Sequence, residues 1–299
     1  MKLLIADLVT EYEPVSDVFR SFLTPFAYEG DRSTDIRLWY TRESVEALLA
    51  KLVKGTTFAQ AESLGVSSLF NRAVIPYAAM LIHSSALVYK GKAYLFSADS
   101  GVGKSTHTRL WLQAFGDCAH IMNDDAPVVR LFDNEILACG TPFDGGSGIA
   151  LNETYPLGAI VFLERGEENN VRVPDTKEVI RRLYFQTAHF VGAKDAEAML
   201  HNFDVLLGRA EFYVLSCNTD VSAAHTAYRA IPACFLIYAQ SGSSSTGSAP
   251  SPSASRKRAI TFRSSMLIGS PIVPMHAEQV AKHCGQMHRL NSPFSSWTI

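Results

Sequence analysis

The stretch Leu95–Leu112, LFSADSGVGKSTHTRLWL, decides the reading of this chain. An apolar run collapses into small residues, passes two glycines, and ends in a lysine, two hydroxyls and a helical pattern. Ala98–Ser105 fits the relaxed form of the phosphate-binding loop, with Ala98 where the strict pattern has glycine. Gly101 and Gly103 let the backbone turn its N–H groups inward around a polyphosphate. A helix opening at Lys104 adds the positive end of its dipole. Lys104 supplies a mobile cation, and the Ser105 hydroxyl is placed to ligate Mg²⁺. The phosphate-contacting set expected from this spacing is Ser100, Gly101, Val102, Gly103, Lys104, Ser105 and Thr106.

A phosphate loop needs a carboxylate for its metal and, for group transfer, a group that takes a proton. The stretch HIMNDDAP (120–127) offers Asp124 and Asp125, twenty residues after Lys104 at the end of an expected strand. Neighbouring residues on a regular strand point to opposite faces, so both serve one site only where the strand is ending. Pro127 marks that end. His83, in MLIHSSALVY (80–89), precedes the next feature outward and is a third candidate.

That feature is ALVYKGKAYLFSA (86–98), two β-rich runs around a Lys-Gly turn, which reads as a hairpin. Downstream, PVVRLF and EILACG read as short strands, and LGAIVFLE (157–164) as a strand covered on both faces. Helices are expected over about 176–190, 195–208 and 222–228, with a strand at EFYVLSC between the last two. The first residues read as strand Leu3–Val9, helix Val15–Leu23, strand Ile36–Tyr40 and helix Arg42–Val53. The expected fold is α/β, a mixed sheet with hairpins, preceded by a small α+β part. The chain divides into 1–75, a core at 76–240, and a tail at 241–299. That tail opens with eight serines in fifteen residues, too polar and small-sided to repay ordering entropy, and is read as disordered or foreign to the core.

With 47% apolar and 19% charged residues the chain belongs with globular proteins, not disordered ones. The net charge of −2 gives no bias toward nucleic acid or an anionic membrane. No run approaches the ~20 apolar residues of a membrane span. Five scattered cysteines without a CxxC pair point to reduced thiols, hence to the cytoplasm. His283, Cys284 and His288 in HCGQMH lie in the irregular tail and read as an accidental grouping, not a zinc site.

Taken together, H-x-S-A-L-V, G-K-A-Y-L-F-S-A-x-S-G-x-G-K-S-T and N-D-D resemble the catalytic domain of HPr kinase/phosphorylase. They are more similar still to the HPr-kinase-like proteins, which share a core with ATP-dependent phosphoenolpyruvate carboxykinase. The resemblance covers about Ala79–Glu168 well and Asn169–Tyr228 loosely. It implies a P-loop kinase core that binds ATP and Mg²⁺, with the nucleotide phosphates on Ser100–Ser105. It further implies one of Asp124 and Asp125 as base and the other as metal ligand, here Asp124 and Asp125 respectively, with His83 against the pair and Lys104 on the transferred phosphate. The implied activity is phosphorylation of a serine hydroxyl on a small protein or peptide, with neither nucleic acid nor membrane as partner and with homo-oligomers familiar in the family. The competing reading is a nucleotide-binding regulator that has lost transfer. The chain departs from the family at GTPFDGGSGIALN (140–152), where many relatives carry a basic residue and this chain has Asp144; Arg165 is a candidate replacement. The glycine-arginine signature of true HPr kinases is missing, which speaks against HPr itself as acceptor.

Overall fold

The computed structural model describes residues 1–187 and 193–241. The tail beyond 241, with its His-Cys grouping, lies outside the described residues. The chain opens with a hairpin, β1 (Lys2–Ile5) and β2 (Leu8–Glu11), followed by α1 (Asp17–Leu23), β3 (Ile36–Arg37), α2 (Arg42–Leu49) and α3 (Phe58–Val74). The expected single strand Leu3–Val9 is therefore two. Ala6 and Asp7 both take positive φ (51° and 59°) and reverse the chain, a turn hidden by the apolar residues on either side. The strand expected over Ile36–Tyr40 closes after two residues, and the helix from Arg42 stops at Leu49. α3 has no counterpart among the elements expected from the sequence. Thr57 and Gln60 form a reciprocal capping box at its start, a signal present in the sequence as T-x-x-Q.

The main sheet has nine strands. β4 (Ala79–Leu81), β5 (Ser84–Tyr89) and β6 (Lys92–Ser97) come first, then α4 (Lys104–Phe115). β7 (Ala119–Asn123), β8 (Val128–Leu131), β9 (Ile136–Cys139), β10 (Thr154–Arg165) and β11 (Asn170–Arg172) follow. α5 (Thr176–Gln186), α6 (Ala193–Arg209), β12 (Phe212–Cys217) and α7 (Ser222–Ser241) complete the described chain. The strand order is β4-β8-β9-β10-β6-β5-β7, with β12 also beside β10 and β11 beside β12. β10 joins the two halves: Thr154–Pro156 pair antiparallel with β9, and the rest runs parallel to β6 and β12. The expected mixed α/β sheet is thus present. The β5–β6 turn has Lys90 and Gly91 both at positive φ (50° and 72°), the geometry that suits a two-residue hairpin.

Strand alternation splits the core in two. Ala86, Val88, Leu95, Ile160, Phe162 and Val214 face Val179, Leu183, Met199, Phe203 and Leu206 of α5 and α6. Leu87, Tyr89, Phe96, Val161, Leu163 and Leu215 face Leu110 and Trp111 of α4 and Ala223, Ala227 and Ile231 of α7. A strand flanked by helices on both faces must be apolar at every position, which is why 157–164 reads as an unbroken run. A third core joins the N-terminal elements to the sheet, because Phe70 and Leu3 share it with Ala126, Val128, Cys139 and Phe143. No helix of the described residues is long and apolar enough to cross a membrane.

Candidate functional site

β6, β7, β10 and β12 end on one edge of the sheet, and β5, running antiparallel to β6 and β7, begins there. That edge carries the glycine turn after Ser97, His83 before β5, and the two aspartates after β7. Ligands of α/β sheets collect at such carboxyl ends.

The glycine turn is closed by Val102 N–H donating to Asp99 O at 3.3 Å, with Gly101 at φ 79° in its third position. Gly103 follows at φ 125° and opens α4 with no side-chain cap. By contrast α1, α2, α3 and α5 each have a side chain, Ser16, Thr41, Thr57 and Asp175, accepting from the first turn. The first N–H groups of α4 thus lack the acceptor those helices carry, at the end where the dipole attracts an anion. Lys104 is buried, and its Nζ donates to Ala98 O at 3.0 Å. Burial holds its pKa below the ordinary lysine value, against the upward pull of the Asp125, Asp124 and Asp99 carboxylates. An ammonium has three N–H donors, and one of these has a protein acceptor among the described residues. A buried cation with donors to spare beside uncapped helix amides has the chemistry to receive an anion.

Asn123 explains how both aspartates reach one edge. It ends β7, and its Oδ1 accepts from Asp125 N (3.1 Å) and Ala126 N (2.8 Å), which curls the backbone out of the strand. Its Nδ2 donates to Thr141 O at 2.9 Å and so ties down the 141–143 segment. Asp124 is buried and accepts from Ser85 Oγ at 2.5 Å; Ser85 Oγ also lies 3.1 Å from Thr108 Oγ1, one turn into α4. Asp125 is more open, 34% exposed at the side chain, with Oδ1 3.3 Å from His83 Nε2. The structure therefore brings Lys104, Asp124, Asp125 and His83 to one edge and links the carboxylates to both the glycine-loop helix and the histidine.

Gln186, at the end of α5, is a member of this cluster that the sequence reading missed. Its Nε2 donates to Asp99 Oδ1 at 2.9 Å, which leaves its Oε1 facing His83 Nδ1 at 3.2 Å. Nδ1 of His83 is thus turned to Gln186 and Nε2 to Asp125. His83 N–H also donates to Gln186 O at 2.8 Å. Nothing in a glutamine 103 residues away from His83 announces such a contact. Ser85 was visible as the serine of H-x-S-A, but its bond to Asp124 depends on strand register.

The 140–152 loop folds over Asp125. Asp144 spends its carboxylate on Gly146 N (3.0 Å) and Gly148 N (2.6 Å) of its own loop. Gly145 sits at φ 61°, and a Cβ there would meet Asp125 Cγ at 2.8 Å. Arg165, at the end of β10, turns to the glycine loop, donating to Gly101 O and Val102 O. A cleft of about 560 Å³ lies between that loop, the end of β10 and α5, lined by Asp99, Val102, Arg165, Arg181, Phe185 and Gln186 among others.

Among the described residues no group of three or more His, Cys, Asp or Glu side chains is arranged to hold a metal ion by itself. The Asp124 and Asp125 carboxylates are oxygen donors of the kind that suit Mg²⁺, which keeps several waters and takes further ligands from hydroxyls and substrate phosphates. No protein-family model matches the chain, and no curated protein matches it. The solved structure of the Hpr(Ser) kinase/phosphatase from Coxiella burnetii is similar with a TM-score of 0.34 and 10% identity, over 55% of this chain and 96% of that chain. A likeness that slight carries no argument about chemistry.

Proposed function

We propose that this chain is an ATP- and Mg²⁺-dependent phosphotransferase that phosphorylates a serine hydroxyl on a small protein or peptide. The observation that carries the reading is the meeting of the buried Lys104 and the uncapped start of α4 with Asp124, Asp125 and His83 on one sheet edge. In this reading amides of Ser100–Thr106 other than the Val102 N–H, which closes the turn on Asp99 O, hold the β- and γ-phosphates, and the spare donors of Lys104 turn to them. Mg²⁺, held by Ser105 and Asp125, supplies charge neutralisation to the phosphates when bound. Asp124, oriented by the Ser85 hydroxyl, takes the proton of the acceptor serine. The serine oxygen forms a bond to the γ-phosphorus, the bond from that phosphorus to the β,γ-bridging oxygen breaks, and ADP leaves with the electron pair. His83, held by Gln186, orients Asp125. The likeness of the motifs to HPr-kinase-like proteins supports the same reading.

The test pairs two variants with labelled ATP and a candidate serine-bearing peptide. Lys104→Ala is expected to lose nucleotide binding while its thermal unfolding stays cooperative. Asp124→Asn is expected to keep ATP affinity and to lower transfer by about 10²–10⁴, the size of a general-base contribution. Unchanged transfer in Asp124→Asn removes that residue from the chemistry. ATP binding without transfer to any acceptor would leave a nucleotide-binding regulator.

A further inference from the structure

The exposed arginine at the end of β10 grips the backbone of the glycine loop. Arg72, Arg172 and Arg182 each pair with a carboxylate. Arg165 pairs with none among the described residues; it spends its guanidinium on two main-chain carbonyls, Nη2 on Gly101 O and Nε on Val102 O at 3.4 Å. β10 lies next to β6 in the sheet, and the Val161–Phe96 and Phe162–Ser97 register brings the end of β10 beside the loop that leaves β6.

The consequence follows from peptide geometry. In a trans peptide the carbonyl of one residue and the N–H of the next point in opposite directions. A fork drawing the Gly101 and Val102 carbonyls toward β10 therefore turns the Val102 and Gly103 N–H groups away from it. The Val102 N–H closes the turn on Asp99 O, and peptide planarity leaves the Gly103 N–H directed away from Arg165. Glycines at φ 79° and 125° give this segment little steric memory of its shape. If the Val102–Gly103 peptide rotated, a carbonyl oxygen would stand where the Gly103 N–H should.

Resting on the phosphotransferase reading, we infer that Arg165 is a positioning residue that holds the glycine loop in its phosphate-receiving form by clamping the Gly101 and Val102 carbonyls from outside. It touches neither the phosphates nor the acceptor in this role. Lysine, a single point charge, replaces the two-pronged contact only in part.

The experiment compares Arg165→Met and Arg165→Lys with the wild-type chain by two readouts. The first is backbone amide exchange across 99–104 without nucleotide, which does not depend on what the loop binds. The second is ATP affinity by calorimetry with Mg²⁺ present. Arg165→Met should speed exchange in that segment by about fivefold or more, leave the rest of the sheet and the thermal midpoint unchanged, and weaken ATP binding by about tenfold, the loss of a charge-assisted contact. Arg165→Lys should fall between. Unchanged exchange overturns the clamp, whatever happens to ATP. Faster exchange with wild-type ATP affinity overturns its role in nucleotide binding. Failure of the wild-type chain to bind ATP sinks the phosphotransferase reading instead, and the exchange comparison still decides the clamp.

Discussion

His107 shows how far one side chain near the site is governed by its surroundings. It lies one turn into α4, 2% exposed, with Nε2 accepting from Trp111 Nε1 at 3.0 Å and Nδ1 without a partner among the described residues. Burial pushes its pKa down to about 4, so the folded imidazole stays neutral where an unfolded one takes a proton near 6.5. Between those two values the unfolded chain binds more protons. Stability therefore falls as pH drops from about 6.5 toward 4, by about 3 kcal/mol if the whole shift is expressed. Urea midpoints of the wild-type chain at pH 7 and pH 5 should differ by more than those of His107→Gln; equal pH dependence in the two would discount this residue. The sequence shows His107 beside two hydroxyls. Only the packing of Phe96 and Trp111 around it tells that it is a neutral core residue and not a phosphate ligand.

Among the elements, the 140–152 loop is where geometry adds most. Its glycines were legible, but their purpose was not. Gly145 combines a left-handed φ of 61° with a neighbour, Asp125 Cγ, that a methyl group would meet at 2.8 Å. Gly145→Ala is expected to cost about 1 kcal/mol in stability from the backbone conformation. On the phosphotransferase proposal, the same change should displace the Asp125 carboxylate, lowering transfer about tenfold or more and raising the Mg²⁺ concentration needed for half-maximal activity; wild-type metal dependence would show that the loop gives way instead. The hairpin of β5 and β6 was legible because Lys-Gly between β-rich runs admits few other conformations. The hairpin of β1 and β2 was not, since an Ala-Asp turn lacks the usual glycine. α3 escaped because its small Ala, Ser and Gly residues dilute the helical period, although its capping box is plain. α7 runs on to Ser241, past the helix expected over 222–228.

For the molecule as a whole, the packing crosses residue 75. Phe70 and Phe143 rings lie 5.6 Å apart, Arg130 Nη1 donates to Ala6 O and Asn152 Nδ2 to Pro25 O. Within the N-terminal part, Glu62 on α3, fully buried, accepts from Tyr12 Oη, Val15 N and Ser16 N at 2.7, 2.6 and 2.9 Å. Calorimetry should accordingly show one cooperative transition for the folded part, with matching van't Hoff and calorimetric enthalpies. Glu62→Ala, which strands three donors, should lower stability by roughly 3 kcal/mol and keep it single; two resolved transitions would mean that the N-terminal elements unfold alone. The sequence by itself determined the local pieces of the candidate site, because a glycine turn before Lys104, a hairpin at Lys90–Gly91 and a strand stop at Asn123–Asp125 each follow from conformational preferences a few residues wide. Only the tertiary structure decided that His83, Ser85, Gln186 and Arg165 converge on that turn. Their meeting depends on strand order and register, set by burial summed over distant segments, and no short window of residues encodes it.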